Sequence, residues 1–339
     1  MEKIMNIKFK KLSIFILIFG VLTAGDESRI GTSGGNQVLI PAGARGIAMA
    51  GSDRVFSSGL ESIYWNPAGL SRSEGTSALA TNMSLFNDVS VNYFGLSSNL
   101  GSVGMVGFTL KSVDMGDIPI TTVEDMDGEG GGVYHPTLST LGLTYSNSFS
   151  DRAFFGITSK LVYESIPRAS STALAFDIGV QYTGFAGLDG LGLALVMSNI
   201  GTDMNYRGSG LTKQAEGENG ITDFYNLESS NDKLPSTYNM SLSYSFSGTT
   251  LGMTYTSHNF SYDELNLGVE YALMDMAYFR AGYTNPLLEE DSSLDGETLF
   301  SMNFGAGLKY NVMGLDLVID YTFRNQGDDF NSSNVLSLG

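Results

Sequence analysis

Few residues in this chain are spaced for covalent chemistry. Gly31-Thr32-Ser33-Gly34-Gly35 has the spacing of a nucleophile elbow, but that motif needs a strand before it and a helix after it. A basic, apolar leader precedes it instead. His135 and His258 are the only histidines, far apart in sequence, and there is no cysteine. That removes disulfides, thiolate metal sites and a cysteine lipid anchor. Asp125-Met126-Asp127-Gly128-Glu129 begins like a calcium loop but lacks the bidentate glutamate that should close it. Carboxylates are abundant, yet none are fixed at the separations glycosidases need. The sequence therefore reads as a non-enzyme without a cofactor or metal site. What remains is ionic. Lys160, Asp177, Glu270, Arg280, Lys309, Asp316, Asp320 and Arg324 carry both signs inside otherwise apolar segments.

Those charges constrain the elements that carry them. In Thr172–Tyr182, Leu174, Phe176, Ile178, Val180 and Tyr182 alternate with Ala173, Ala175, Asp177, Gly179 and Gln181. Strand side chains point to opposite faces in turn, so one face is oily and the other wet. Tyr238–Phe246 and Leu315–Arg324 repeat the pattern. Composition says which face meets what. Charged residues are only 16% of the chain, with 42 glycines, 17 tyrosines and 20 phenylalanines, against roughly 25% charge in soluble domains. That balance fits a β protein with apolar solvent on its outside. A Lys or Arg facing lipid costs about 2–4 kcal/mol at mid-bilayer. The eight charges must then point inward, where opposite signs can pair.

The first residues give the compartment. Lys3, Lys8, Lys10 and Lys11 precede an apolar run, Leu12–Leu22, and Thr23-Ala24-Gly25 supplies small residues for cleavage. The run is short of the roughly 20 residues that span a bilayer, so 1–25 reads as a signal peptide. Its removal takes four lysines and one glutamate, moving the net charge from −18 to −21. An exported, acidic chain is an improbable partner for nucleic acid.

Strands are expected at about 76–85, 88–98, 101–111, 137–149, 152–164, 172–183, 188–199, 236–246, 249–258, 262–271, 276–285, 298–311, 314–325 and 331–339. Most are about the length that crosses a bilayer at barrel tilt. Tight gaps alternate with longer ones, notably 112–136, 200–235 and 286–297. Short periplasmic turns and long outer loops have this parity in bacterial barrels. The expected fold is all-β: a transmembrane antiparallel barrel of about 14 strands over 76–339, in a bacterial outer membrane and covered by its lipid. Residues 26–75 are too small and glycine-rich to be wall. They read as an N-terminal hatch folded inside the lumen, with Tyr64 and Trp65 as anchors and Asn66-Pro67-Ala68-Gly69 turning the chain toward the first strand.

Pro41-Ala42-Gly43-Ala44-Arg45-Gly46-Ile47-Ala48-Met49-Ala50-Gly51, followed by Ile63-Tyr64-Trp65-Asn66-Pro67-Ala68-Gly69-Leu70, resembles the N-terminal signature of the PorV/PorQ family. These are FadL-like outer-membrane barrels found with the type IX secretion system. The Tyr-Trp form of the second block favours PorV/PorQ over the fatty-acid transporters. The family often has paired aspartates ahead of that block, where this chain has Ser57-Ser58-Gly59-Leu60-Glu61. Outer-membrane barrels usually end on an aromatic residue, and this chain ends Ser337-Leu338-Gly339, so a few further residues are expected. The resemblance implies a cargo-receiving shuttle that takes secreted proteins at its outer loops and hands them to other secretion components. The wider FadL likeness implies an alternative, a transporter of hydrophobic small molecules.

Overall fold

A computed structural model describes residues 25, 27–86, 88–216, 222–288, 301–325 and 332–339. The leader up to residue 24, part of the 286–297 connection and the start of the strand expected at 298 lie outside the described residues. Alternating polarity produces fourteen antiparallel strands in one closed barrel. They are β1 Thr76–Ser84, β2 Ser90–Asn99, β3 Met105–Asp114, β4 Thr137–Ser150, β5 Ala153–Ile166, β6 Ala169–Thr183 and β7 Leu191–Gly201. The second half is β8 Thr237–Phe246, β9 Thr249–His258, β10 Asp263–Leu273, β11 Ala277–Leu287, β12 Met302–Val312, β13 Leu315–Arg324 and β14 Ser333–Leu338. β14 pairs with both β13 and β1, so no edge is left open.

Burial is inverted relative to a soluble protein. On β6, Leu174, Phe176, Ile178, Val180 and Tyr182 are exposed, whereas Ala173, Ala175, Asp177 and Gln181 are buried. Lipid is the solvent for the exposed face, and a closed barrel satisfies its backbone there. Tyr182, Tyr244, Phe246 and Tyr310 lie near the short-turn ends of that face, and Tyr163, Tyr238 and Phe323 near the other. These are the two aromatic girdles of a membrane barrel. Among the described residues no helix is long and apolar enough to cross a membrane.

The short turns use left-handed residues, as at Met313-Gly314, where both φ are positive (53° and 88°). That geometry matches the twist of the flanking strands. One expected turn, near 99–100, is longer than its sequence suggested. Gly101–Val103 curls into a 3-10 turn and β3 starts at Met105, because apolar Leu100 and Val103 read as strand but sit exposed. The long connections also carry small hairpins that the sequence did not reveal: Ile118–Pro119 with Val133–Tyr134, Met204–Asn205 with Asn231–Asp232, and Thr212–Glu216 with Thr222–Asn226.

Residues 27–72 run through the lumen as short helical pieces: 3-10 turns at Glu27–Arg29 and Asn36–Leu39, α1 Ala44–Ala48, α2 Gly59–Trp65 and a 3-10 helix Pro67–Arg72. The wall makes room with inward-facing glycines. A Cβ on Gly268 or Gly282 would strike the backbone of Met49, and one on Gly156 the backbone of Pro67. Peptide thus packs directly on peptide, which any side chain at these positions would prevent.

Candidate functional site

The sole tryptophan organises the lumenal segment. Trp65 is 7% exposed. Its indole Nε1 donates to Ala42 O at 3.0 Å, and Gly46 and Gly51 pack on the ring. Tyr64 meets it edge-on, with centroids 4.9 Å apart and planes at 84°, and donates its hydroxyl to Leu39 O at 2.8 Å. Arg54 stacks over the indole at 5.3 Å and donates to Trp65 O at 2.7 Å. Three stretches, 39–42, 46–54 and 64–65, are thereby tied at one point.

The block that follows is not the simple turn its sequence suggested. Asn66 caps the 3-10 helix Pro67–Arg72 by accepting from Ala68 N at 3.1 Å. Its amide nitrogen donates to Arg54 O at 2.9 Å and to Val180 O, on β6, at 3.2 Å. Pro67, Ala68 and Gly69 are all buried, and Gly69 sits against Ser57 O and Ser62. The local signal for a turn is overridden by a wall partner 114 residues away.

A charge network joins segment and wall. Arg45, on α1, reaches Glu270 on β10 at 2.8 Å and Asp53 at 3.0 Å. Arg280, on β11, reaches the same Glu270 and also Asp320 on β13, each at 2.5 Å. Glu61 accepts from Gly46 N at 2.7 Å and lies under Gly43, whose Cβ would strike it. Burial pushes the Glu61 carboxyl up to about 7, with Asp320 adding to the effect. A second cluster closes a bulge between β6 and β7. Lys160 pairs with Asp177 and donates to Asn199 Oδ1 at 2.7 Å. Asn199, at φ 60°, returns its own N–H to Asp177 at 2.8 Å.

The remaining charges expected in the lumen behave differently. Lys309 and Asp316 share the inward face, but they pair at 2.8 Å beside the Met313-Gly314 turn, with 40% and 50% of their side chains exposed. They lie at the wet mouth and not in a packed interior, because β12 and β13 extend past the lumenal segment. Arg324 lies at the opposite end, its Nη1 3.6 Å from Met83 Sδ.

Between the lumenal segment and the long-loop end lies a cavity of about 650 Å³. Its apolar lining includes Val38, Ile40, Trp65, Val113 and Leu138; its polar lining includes Arg54, Lys160, Arg324, Asn239 and Asn266. Arg54 is 8% exposed and its Nε takes no hydrogen bond among the described residues. Burial pulls its guanidinium down to about 10, still charged at neutral pH. Just below, Lys111 donates to Ile40 O at 2.7 Å and stacks on Tyr64 at 4.9 Å. Sequence reading missed both cations. Lys111 was legible, since it shares the inward register of Gly107, Thr109 and Val113. Arg54 had no periodicity to mark it. Among the described residues no group of three His, Asp or Glu is placed to hold a metal. The arrangement can bind and orient an amphiphile.

The same architecture recurs in solved structures. The Ralstonia pickettii toluene transporter TbuX matches with a TM-score of 0.56 at 12% identity, over 88% of this chain and 97% of that one. The Pseudomonas putida toluene transporter TodX matches with 0.55 at 12%, over 88% and 96%. A Pseudomonas aeruginosa FadL homologue matches with 0.50 at 15%, over 88% and 97%. The fold is FadL-like. It is an outer-membrane barrel with an N-terminal segment of short helices ahead of the wall. No protein-family model and no curated protein matches the chain.

Proposed function

We propose that this FadL-like barrel is an outer-membrane channel for a small hydrophobic or amphiphilic compound, with residues 26–75 as its hatch. The chamber carries the reading. Ligand sites span about 300–1,000 Å³, are mostly apolar and hold a few placed polar groups, and the cavity of about 650 Å³ has that make-up. The toluene transporters TbuX and TodX share its architecture. Lumen charges would bar an apolar compound if left to strip their own hydration. Here Lys160 pairs with Asp177, and Arg280 with Glu270 and Asp320. Arg54 favours a compound with an acceptor at one end over a plain hydrocarbon.

The test uses Trp65, which lines the chamber and is the only tryptophan. Purified barrel in detergent is titrated with toluene and with a fatty acid while indole emission is followed. A saturable change is expected, stronger for the acid, and Arg54→Ala should weaken the acid about tenfold, the scale of a charged hydrogen bond. Absence of saturation with both compounds would sink the proposal.

A second reading keeps the role implied by the PorV/PorQ resemblance, a receiver of secreted cargo in type IX secretion. It draws on the Tyr64-Trp65 form of the block and on the 115–136 loop, where Val123 and Met126 stand 89% and 80% exposed. Deleting 205–230 separates the two readings. Cargo that fails to reach the surface while the barrel still folds favours the receiver. Intact secretion together with fatty-acid movement into liposomes favours the channel.

A further inference from the structure

The wall does not line the chamber evenly. Val113 and Leu138 line it from β3 and β4, whereas Asn239, Thr256, Asn266, Thr284 and Asn303 line it from the successive strands β8 to β12. In the closed barrel β3 and β4 lie half-way round from β10 and β11. The fold therefore sets an oily stretch of wall across the lumen from a polar one.

Three amides on this lining are under-used. Gln37, in the Asn36–Leu39 turn, is 3% exposed, Asn266 is 4% and Asn303 is 3%. Asn266 gives its amide nitrogen to Thr256 Oγ1 at 3.3 Å. Its Oδ1 takes no hydrogen bond among the described residues, nor does Asn303 Oδ1 or either polar atom of the Gln37 side chain. The two asparagines stand close to the seat of Met49: Asn303 is opposite Gly282, and Asn266 is one inward step from Gly268. Burying an amide without a partner is costly, and most buried polar side-chain atoms have one.

We propose that the ligand of this chamber carries a hydroxyl group. Its class is then an alcohol or phenol on an apolar body, not a plain hydrocarbon or an unmodified fatty acid. The inference rests on the channel reading above. A hydroxyl has one donor and two acceptor sites. It can donate to an amide oxygen and accept from an amide nitrogen, so it fits Asn266 and Asn303 whichever way each amide is turned. A hydrocarbon can do neither, and a carboxylate can only accept. With the hydroxyl on the amides, the apolar body lies toward Val113 and Leu138. The same compound can still bear the acceptor that Arg54 favours.

The test compares p-cresol with p-xylene, which differ by a hydroxyl in place of a methyl. Each is titrated into wild-type barrel and into Asn266→Leu/Asn303→Leu, with Trp65 emission excited beyond the cresol band. The readout is the cresol-to-xylene affinity ratio in wild type divided by that in the variant, so the hydration of the free compounds cancels. The ratio should fall about tenfold in the variant, the scale of a neutral hydrogen bond. Asn303→Leu alone keeps the Asn266–Thr256 bond. It should lower the ratio several-fold, which keeps the test alive if the double variant does not fold. An unchanged ratio with both compounds saturating would overturn this inference and leave the channel standing. No saturation with either compound in wild type would remove the channel reading and this inference with it.

Discussion

Arg45 Nε stands 2.8 Å from Glu270 Oε2, an ion pair that crosses from the lumenal segment to the wall. Glu270 is shared with Arg280, so the two sides of the pair are not equivalent. Arg45→Met leaves Glu270 with a partner. Glu270→Gln removes a carboxylate from two guanidiniums. Breaking a buried pair from one side costs about 3–5 kcal/mol, and the larger loss is expected for Glu270→Gln. Limited proteolysis of folded barrel should cut the 26–75 segment fastest in that variant. Equal resistance in both variants and wild type would show that the network does not hold the segment.

The attachment should also depend on pH. Glu61 is raised to about 7, first by burial and then by Asp320, against about 4.3 for a free glutamate. A carboxyl raised on folding binds its proton more tightly in the native state. Its contribution is full below about pH 4 and is lost as pH rises through 7. The segment should therefore be held less firmly at pH 8 than at pH 5. Partial contact of this carboxyl with the lumen limits the loss to the order of 1–3 kcal/mol. Acrylamide quenching of Trp65 should increase over that range, and Glu61→Gln should flatten the curve. A pH-independent wild type would refute the assignment.

Trp65→Ala removes the indole that ties three stretches together. Truncating a buried Trp costs about 3–5 kcal/mol, and here the cost falls on the segment rather than the wall. The variant barrel should keep its sheet spectrum and heat-modifiable migration while the segment becomes open to periplasmic protease. Loss of the barrel itself would mean that wall and segment fold as one unit.

The wall glycines give a sharper test of seating. Gly179 faces Asn66 and Pro67, and Gly282 faces Met49 and Ala50. Gly179→Val adds side-chain atoms against the Asn66 and Pro67 side chains and Gly282→Val against the backbone of residues 48–50, both at strand positions that favour Val. Each should leave strand content intact and expose Trp65 to quencher. Indole burial as in wild type would mean that the segment re-seats elsewhere.

Much of this was written in the alternation of side chains. Leu174 to Tyr182 shows which way Asp177 points, because a strand has two faces and lipid excludes charge from one. The number of strands and the parity of the turns followed from the same rule. What stayed hidden depends on distant partners. Asn66-Pro67 looks like a turn until Val180 is brought beside it by closure of the barrel. Arg54 is a cation in a loop, and only the indole of Trp65 and the chamber wall give it a place. Lys309 and Asp316 have the inward register of their neighbours, but register fixes a face and not a depth, and depth made them wet.

The segment's contacts set an order of assembly. Ala44 N donates to Ser337 Oγ on β14, 293 residues later in the chain, while Asn66 is held by β6 and Arg45 by β10. The seat for the first-made part of the protein does not exist until the last strand has closed on the first. Loop closure over such separations is slow and unfavourable until many contacts form together. The segment must therefore stay unfolded through export and insertion, and that favours its composition: many glycines, short helical pieces with little stability alone, and one indole to gather them when the cylinder is complete.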